Sequence, residues 1–541
     1  LHEYLLPTLP LIPLYAETHY RFRYFPFSLY FRRAPEIIFD TPWRVAPDQV
    51  PTVFLLIKSA NRWPVELKSV TINWESDSGE SGKTTIPLTQ MVNQLWFHLP
   101  LVLPDKIQRP AQISILPTLN FILRGKAKRV TVDNYFGLTK KPLQTFLANE
   151  SLPTQPGWIC GDVHLHTHLT SDQVEFGAPV EMTRHGATVM GLDFVATTDH
   201  SYDLDDYPTN YLKNDPALEK WHESRVQMRK LNQNQPEGCQ LIPSEEITIR
   251  NHGGHNVHLL HYNDPKFFPG SGDGAERWLN TESEHDLASV LSERSTSTIS
   301  VAAHPQYRVP FLHKLLIDRD EWSLEDLLGD GLNGAQVLSG TPESADFSRS
   351  RAVWIAALLK GKKLAIYGGS DAHGNFNVFR QVKMPMINLF QMDDQILGQA
   401  RTIIASNSTQ MMDMMDAMAK RRTAATTAPI GDITLTLPTG EVVEIGDEAI
   451  CNSGDNITLN ISGKSTTEFG PIIKIELYQG VFESQREEVI WESGSNKFEL
   501  QESVRTEVTS AGYFRLEIKT PGNNRWPGIY LSTPIWVNLQ P

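Results

Sequence analysis

The stretch Gly161 to Asp172, GDVHLHTHLTSD, carries His164, His166 and His168 at alternate positions between Asp162 and Asp172. Residues two apart share one face of a strand, so these imidazoles can point into a common space. Imidazoles and carboxylates recur downstream: Asp199 and His200, Glu245 and Glu246, His255 and His258, His304, then Asp371 and His373. All but three of the 17 histidines lie between His164 and His373. Mixed imidazole and carboxylate donors without grouped thiolates suit Zn, Mn or Fe. Without cations, repulsion and desolvation would oppose gathering them. Any one of these residues alone would most often be a satisfied structural group. It is the ordered set that points to chemistry.

For such scattered residues to meet, strand ends must converge. Between Trp158 and about Arg422, apolar strand candidates (WICGDVHLH, DFVATTDH, CQLIPSEEIT, NVHLLHY, TISVAAHP, NGAQVLS, LAIYGGSDAH) alternate with helix candidates. This predicts parallel strands, and about seven or eight such units would close as a β/α barrel with its active site at the strand C-termini. The methionines of STQMMDMMDAMAKRR, a final helix, read as core filler.

The flanks have a different texture. Residues 20 to 145 show β-branched and aromatic runs such as TVFLLIKSA and ELKSVTINW, separated by turn residues, which predicts an antiparallel sandwich. LANESLPTQPG, with Pro153 and Pro156, reads as a linker. Beyond Thr423, DITLTLPTG, NITLNISG and IIKIELYQG predict a second, immunoglobulin-like sandwich. The expected organisation is an α/β centre over 155–425 between β-rich domains at 1–150 and 428–541.

With 541 residues and 40% hydrophobic composition, the chain is long enough for several cores. No run of eighteen apolar residues offers a bilayer span, so no membrane partner is expected. A net charge of −14, spread along the sequence, disfavours a nucleic-acid groove but not a site for one phosphate or ester. Cys160, Cys239 and Cys451 lie far apart and read as buried thiols. YLLPTLPLIPLY reads poorly as a signal peptide, being broken by prolines. The cytoplasm is the expected compartment, with export open should a leader precede Leu1.

The pieces HLHTHLTSD, TTDH, SEEIT, VHLLHY, AAHP and GSDAH, in that order over roughly residues 158 to 425, resemble the successive signatures of the polymerase and histidinol phosphatase (PHP) family of metal-dependent hydrolases. The resemblance implies a distorted (β/α)7 barrel holding two or three divalent metals (Zn, Mn or Fe). It implies that His164, His166, Glu246 and Asp371 hold one metal, that Glu246, His258 and His304 hold a second with Glu246 bridging, and that Asp172, His200 and His373 hold a third. Of the adjacent Glu245 and Glu246, only one can face the site; the resemblance selects Glu246, which precedes Ile247 and Thr248. His255 and His258 compete: VHLLHY resembles the family strand and favours His258, while GHNV resembles a variant that would select His255, and the other histidine is left for substrate. Asp162 and Asp199 are expected to accept from ligating imidazoles. His168 and Arg308 are candidate substrate contacts.

The catalytic expectation is a metal-bridging water held by Glu246, Asp371 and His304, attacking a small phosphomonoester or phosphodiester. No GxSxG elbow or GxxxxGK loop supports serine or P-loop chemistry. Two alternatives remain: a carboxylester or carbamate hydrolase using the same centre, suggested by the similarity of STPIWVNL to the terminal strand of the carbaryl-hydrolase group, and a catalytically inactive binding protein.

Overall fold

The computed structural model describes residues 33–103, 107–135, 140–170, 177–208, 210–274, 280–377, 395–494 and 496–540. The chain divides into two compact units. One comprises 152–165, 192–371 and 398–541; the other comprises the N-terminal residues to Ser151 with 166–191 and 372–397.

In the first unit, nine strands position the candidate residues: β1 (Trp158–His166), β2 (Phe194–Thr197), β3 (Gln240–Arg250), β4 (Asn256–Tyr262), β5 (Ile299–Ala302), β6 (Gly334–Leu338), β7 (Ala365–Gly368), β8 (Arg401–Ala405) and β9 (Thr423–Thr426). Their order in the sheet is β7-β6-β5-β4-β3-β2-β1-β8-β9. β1, β2 and β3 pair in parallel, as do β5, β6 and β7. Contrary to the expected uniform alternation, β4 is antiparallel to both β3 and β5, and β8 is antiparallel to β1. The reason is local. Only Asn251 to His255 separates β3 from β4, a tight turn with Gly254 at φ +82°, and a parallel crossover needs a dozen residues or more.

The ends of this path approach one another. Thr402 of β8 donates through Oγ1 to the Gly368 carbonyl of β7 at 2.8 Å and accepts from the Gly368 amide at 2.9 Å. A Cβ on Gly368 would sit 2.5 Å from the Arg401 carbonyl, so only glycine permits that approach. Apolar side chains of these strands form one core, among them Val163, Ala196, Ile242, Leu260, Val301 and Tyr367. Met414, Met415 and Met418 of the helix Met411–Ala419 pack there too, while Met412 is exposed.

The sheet does not stop at β9. Ala425 pairs with Leu531, and the strands Gly528–Ser532, Gly512–Thr520, Lys474–Val481 and Arg486–Ser493 continue the same sheet. A second sheet, containing Ile430–Thr436, Asp455–Lys464 and Glu499–Val508, covers it.

The N-terminal unit is built from two mostly antiparallel sheets, one holding Glu36–Asp40, Thr52–Lys58 and Trp96–Val102, the other Val65–Ser76, Ser81–Val92 and Ala111–Leu123. Ile37, Leu55, Ile57, Val70, Ile72 and Ile113 share their core. The helix Val180–Met190 is tied to this unit through Ala46 N to the Val189 carbonyl (2.8 Å) and Arg44 Nη1 to the Met190 carbonyl (2.9 Å). Cys160, Cys239 and Cys451 are buried free thiols. Among the described residues no helix is long and apolar enough to cross a membrane.

Candidate metal centre

Glu246 is the seventh residue of β3, and pleating sends it to the face opposite Glu245. Glu245 Oε1 accepts from Trp221 Nε1 at 2.7 Å and from Arg225 Nη2 at 3.0 Å. Glu246, buried to 1% exposure, faces four imidazoles. Its Oε1 lies 2.7 Å from His258 Nδ1, 3.3 Å from His304 Nε2 and 3.4 Å from His164 Nε2; its Oε2 lies 3.1 Å from His200 Nδ1. His164 Nε2 is also 3.1 Å from Asp371 Oδ1.

The backbone brings these groups together in different ways. His164 is on β1. His200 follows β2 and bridges to the Glu246 backbone, whose amide donates to the Asp199 carbonyl at 3.1 Å. His258 is near the start of β4. Because β4 runs backwards, its beginning lies beside the end of β3, with His258 opposite Thr248. His304 and Asp371 follow β5 and β7, and both hold left-handed backbone conformations, with φ of +26° and +53°. Such strain at non-glycine residues persists only where surrounding structure enforces it, and it clusters at functional sites. For Asp371 the enforcement is visible: its amide donates to the His164 carbonyl at 2.8 Å. Gly369 permits the same packing, since a Cβ there would come within 2.8 Å of His164 Cβ.

Three polar side chains outside the expected set orient the imidazoles. Gln336 Oε1 lies 2.8 Å from His164 Nδ1 while its Nε2 donates to the Gly369 carbonyl at 2.9 Å. That fixes the amide and makes His164 Nδ1 the donor, with Nε2 turned toward the carboxylates of Glu246 and Asp371. Asp273 Oδ2 lies 2.7 Å from His258 Nε2, which donates to it, and this turns Nδ1 toward Glu246 Oε1, also 2.7 Å away. Arg319 Nη2 stands 3.1 Å from that same Nδ1. Asp162, expected to accept from an imidazole, instead accepts backbone amides: His164 (3.1 Å), Ser370 (3.0 Å) and Gly398 (2.9 Å). It clamps the loop carrying Asp371 to β1.

The electrostatics follow from this crowding. Burial opposes charge on His164, yet Asp371 and Glu246 outweigh it and lift the imidazole to about 9. Burial would raise Glu246, but His258, His164 and His200 hold it well below the ordinary carboxylate range. Burial lowers His304. Asp273 is held low by His258 and Arg319 against its own burial.

The donor set fits divalent cations. His164, Glu246 and Asp371 offer ligand atoms within 4.8 Å of one another, and so do His200, Glu246 and His258, with Glu246 common to both sets. A tetrahedral shell with metal–ligand bonds of about 2.0–2.1 Å has edges of about 3.3–3.4 Å. The His164–Glu246 and His304–Glu246 separations, 3.4 and 3.3 Å, match such edges rather than good hydrogen bonds.

In the N-terminal unit the His166 and His373 rings stack, 4.3 Å apart and 5° from parallel, and His166 Nδ1 is 3.4 Å from Thr170 Oγ1. Only Leu165 separates His166 from His164 along the chain, and only Ala372 separates His373 from Asp371. Asp172 lies outside the described residues. His168 packs edge-on to Trp96 at 5.6 Å. Of the two competing histidines, His258 is in the cluster; His255 is 47% exposed and paired with Asp318 at 2.8 Å, a position that lends nothing to a substrate role. Arg308 is exposed.

No family model matches the chain, and no curated protein matches it. Among solved structures, a Bacteroides uniformis beta-glucuronidase aligns with 94% of this chain and 61% of its own at 10% identity, with a TM-score of 0.18. An FMN-binding beta-glucuronidase from Facaelibacterium prausnitzii aligns at 9% identity over 95% and 75% of the two chains, with a TM-score of 0.17. A fragment of Escherichia coli alpha-2-macroglobulin aligns at 9% identity over 93% and 99%, with a TM-score of 0.16. The chain spans about three fifths of the length of the first of these. Likenesses this slight assign neither fold nor activity.

Proposed function

We propose that this protein is a metal-dependent hydrolase of the PHP kind, cleaving a small phosphoester with an activated water. The observation that carries the reading is Glu246, a single buried carboxylate faced by His164, His200, His258 and His304, with Asp371 beside His164. His164, Glu246 and Asp371 would hold one cation, and Glu246, His200, His258 and His304 a second. The resemblance adds His166 and His373 to the proposed ligand set. Bound divalent cations supply Lewis acidity there, polarising the ester and bringing the pKa of water toward neutrality.

The chain's own groups complete the chemistry. Asp273 and Gln336 hold His258 and His164 with Nδ1 and Nε2, respectively, turned toward Glu246. Asp371, fixed by the His164 carbonyl, presents a carboxylate to orient the attacking water, with Glu246 and His304 beside it. Arg319, at the edge of the cluster, offers a guanidinium to an anionic substrate. That cation favours a phosphoester over a neutral carbamate or carboxylester. Serine and cysteine nucleophiles have no part in this reading, which rests on the imidazoles and carboxylates around Glu246.

Turnover of p-nitrophenyl phosphate, bis-p-nitrophenyl phosphate and 1-naphthyl acetate by Mn- and Zn-loaded protein tests the reading. Phosphoester cleavage is expected. Cleavage of 1-naphthyl acetate alone would move the activity to carbon esters, and silence on all three with the metal sites filled would overturn the hydrolase assignment in favour of a binding protein.

A further inference from the structure

A cavity of about 780 Å³ opens beside the helix Glu219–Asn234, and none of its lining residues belongs to the cluster around Glu246. Its walls come from that helix, from the beginning of β3 at Gln240 and Pro243, from Asn263 just after β4, from Ser295 and Ser297 before β5, and from Thr409 to Met411 after β8. These positions are the N-terminal ends of the parallel strands and the C-terminal ends of the antiparallel ones. The cavity therefore sits at the end of the strands away from Asp371 and His304.

Its chemistry is one-sided. Arg225 and Arg229 line it, and among the described residues no aspartate or glutamate does. In a chain of net charge −14 that is a local reversal of field. Arg229 is exposed, and no described residue forms an ion pair with it. Arg225 is held rigid, stacked at 4.2 Å on Trp221 and bonded to Glu245 at 3.0 Å. Its guanidinium still has donors beyond the single bond to Glu245, since five N–H groups are available. Hydroxyls of Ser295, Ser297 and Thr409 add small neutral donors, and Pro243, Pro265 and Met411 add apolar wall. The volume falls in the range of small-molecule sites, about 300–1,000 Å³.

We propose that this cavity is a second ligand site, for a small organic phosphate: the phosphate sits on Arg225, Arg229 and the serine hydroxyls, and the organic body lies against the prolines and Met411. Two guanidinium forks suit the three phosphate oxygens, and the open, partly apolar walls suit a carbon skeleton better than a bare inorganic ion. The occupant would lie next to Arg225, which grips Glu245, the chain neighbour of Glu246.

Calorimetric titration of the metal-loaded protein with phenylphosphonate, which is not an ester and survives the proposed activity, tests the site. Wild type and Asp371→Asn are expected to share a binding event that Arg229→Gln weakens about tenfold or more, the loss of one charge-assisted contact. Arg229→Gln should leave thermal unfolding unchanged, because its side chain is exposed and no described residue forms an ion pair with it. Benzyl alcohol should not bind. Identical isotherms for wild type and Arg229→Gln, or no binding outside the event abolished by Asp371→Asn up to about 10 mM ligand, would overturn the proposal.

Discussion

His258 turns its Nε2 to the carboxylate of Asp273, 2.7 Å away, and so commits its Nδ1 to the Glu246 side of the ring. A carboxylate behind a ligating imidazole fixes ring and tautomer and raises ligand basicity; removing it costs about 10–100-fold in metal affinity. Asp273→Ala should therefore lower metal affinity by that order, measured by competition with a chromophoric chelator. Asp273→Asn, which keeps an acceptor oxygen but not the charge, should fall between the two.

His255 and His258 lie three residues apart and have opposite surroundings, one exposed against Asp318 and one buried against Glu246. His258→Ala should lose metal from the cluster and abolish turnover. His255→Ala should keep full metal content and turnover within about twofold of wild type, since exposed ion pairs contribute little. Elemental analysis of the two variants side by side checks this.

The apo protein and the metal-loaded protein should respond to pH in opposite ways. His164 in the folded apo state is raised to about 9 by Asp371 and Glu246 against its burial, whereas an unfolded histidine titrates near about 6.5. A raised folded-state pKa means that its contribution to stability is fully present below about 6.5 and is lost as pH rises through about 9. Cation binding requires the neutral imidazole, so affinity should grow over the same window. Thermal unfolding of chelator-treated protein should weaken from pH 6.5 to 9 while the added stabilisation by Zn or Mn increases. On the acid side the signs reverse: Glu246 and Asp273 are depressed, so their contribution is present above about 4 and lost as pH falls.

Arg515, fully buried in the continuous sheet, bonds both oxygens of Glu487 at 2.6 Å and also Glu517. Arg351, from the helix Ala345–Leu359, reaches the same Glu517 at 2.6 Å. Removing one partner of a buried ion pair costs about 3–5 kcal/mol, because the remaining charges are left uncompensated. Arg515→Met should lose stability of that order in urea denaturation, and because β9 and Gly528–Ser532 lie in one sheet, both halves of this unit should melt together.

Some of this was legible in the residues and some was not. Alternation alone puts Glu245 and Glu246 on opposite faces of a strand, and the contacts of Trp221 and Arg225 with Glu245 show which face is which. The antiparallel course of β4 had a signal in NHGGH, too short for a crossover, that apolar patterning overrides. Asp273 sits in PGSGDGAE, a glycine-rich run that reads as loop and whose aspartate has no strand to place it. Gln336 had a fainter signal, a lone amide within the apolar strand GAQVL. The continuation of the sheet from β9 into the C-terminal strands rests on pairs such as Ala424 with Ser532, more than a hundred residues apart, and no local pattern encodes such a partner.

The central claim is that Glu246 bridges divalent cations. Elemental analysis of protein reconstituted with Zn or Mn and freed of excess metal tests it most directly, on wild type and Glu246→Gln in parallel. The account predicts at least two ions per chain in wild type and a loss of at least one in Glu246→Gln, with the folded state retained by circular dichroism. Wild-type protein that holds less than one ion per chain, or a Glu246→Gln variant that binds metal as wild type does, would contradict it.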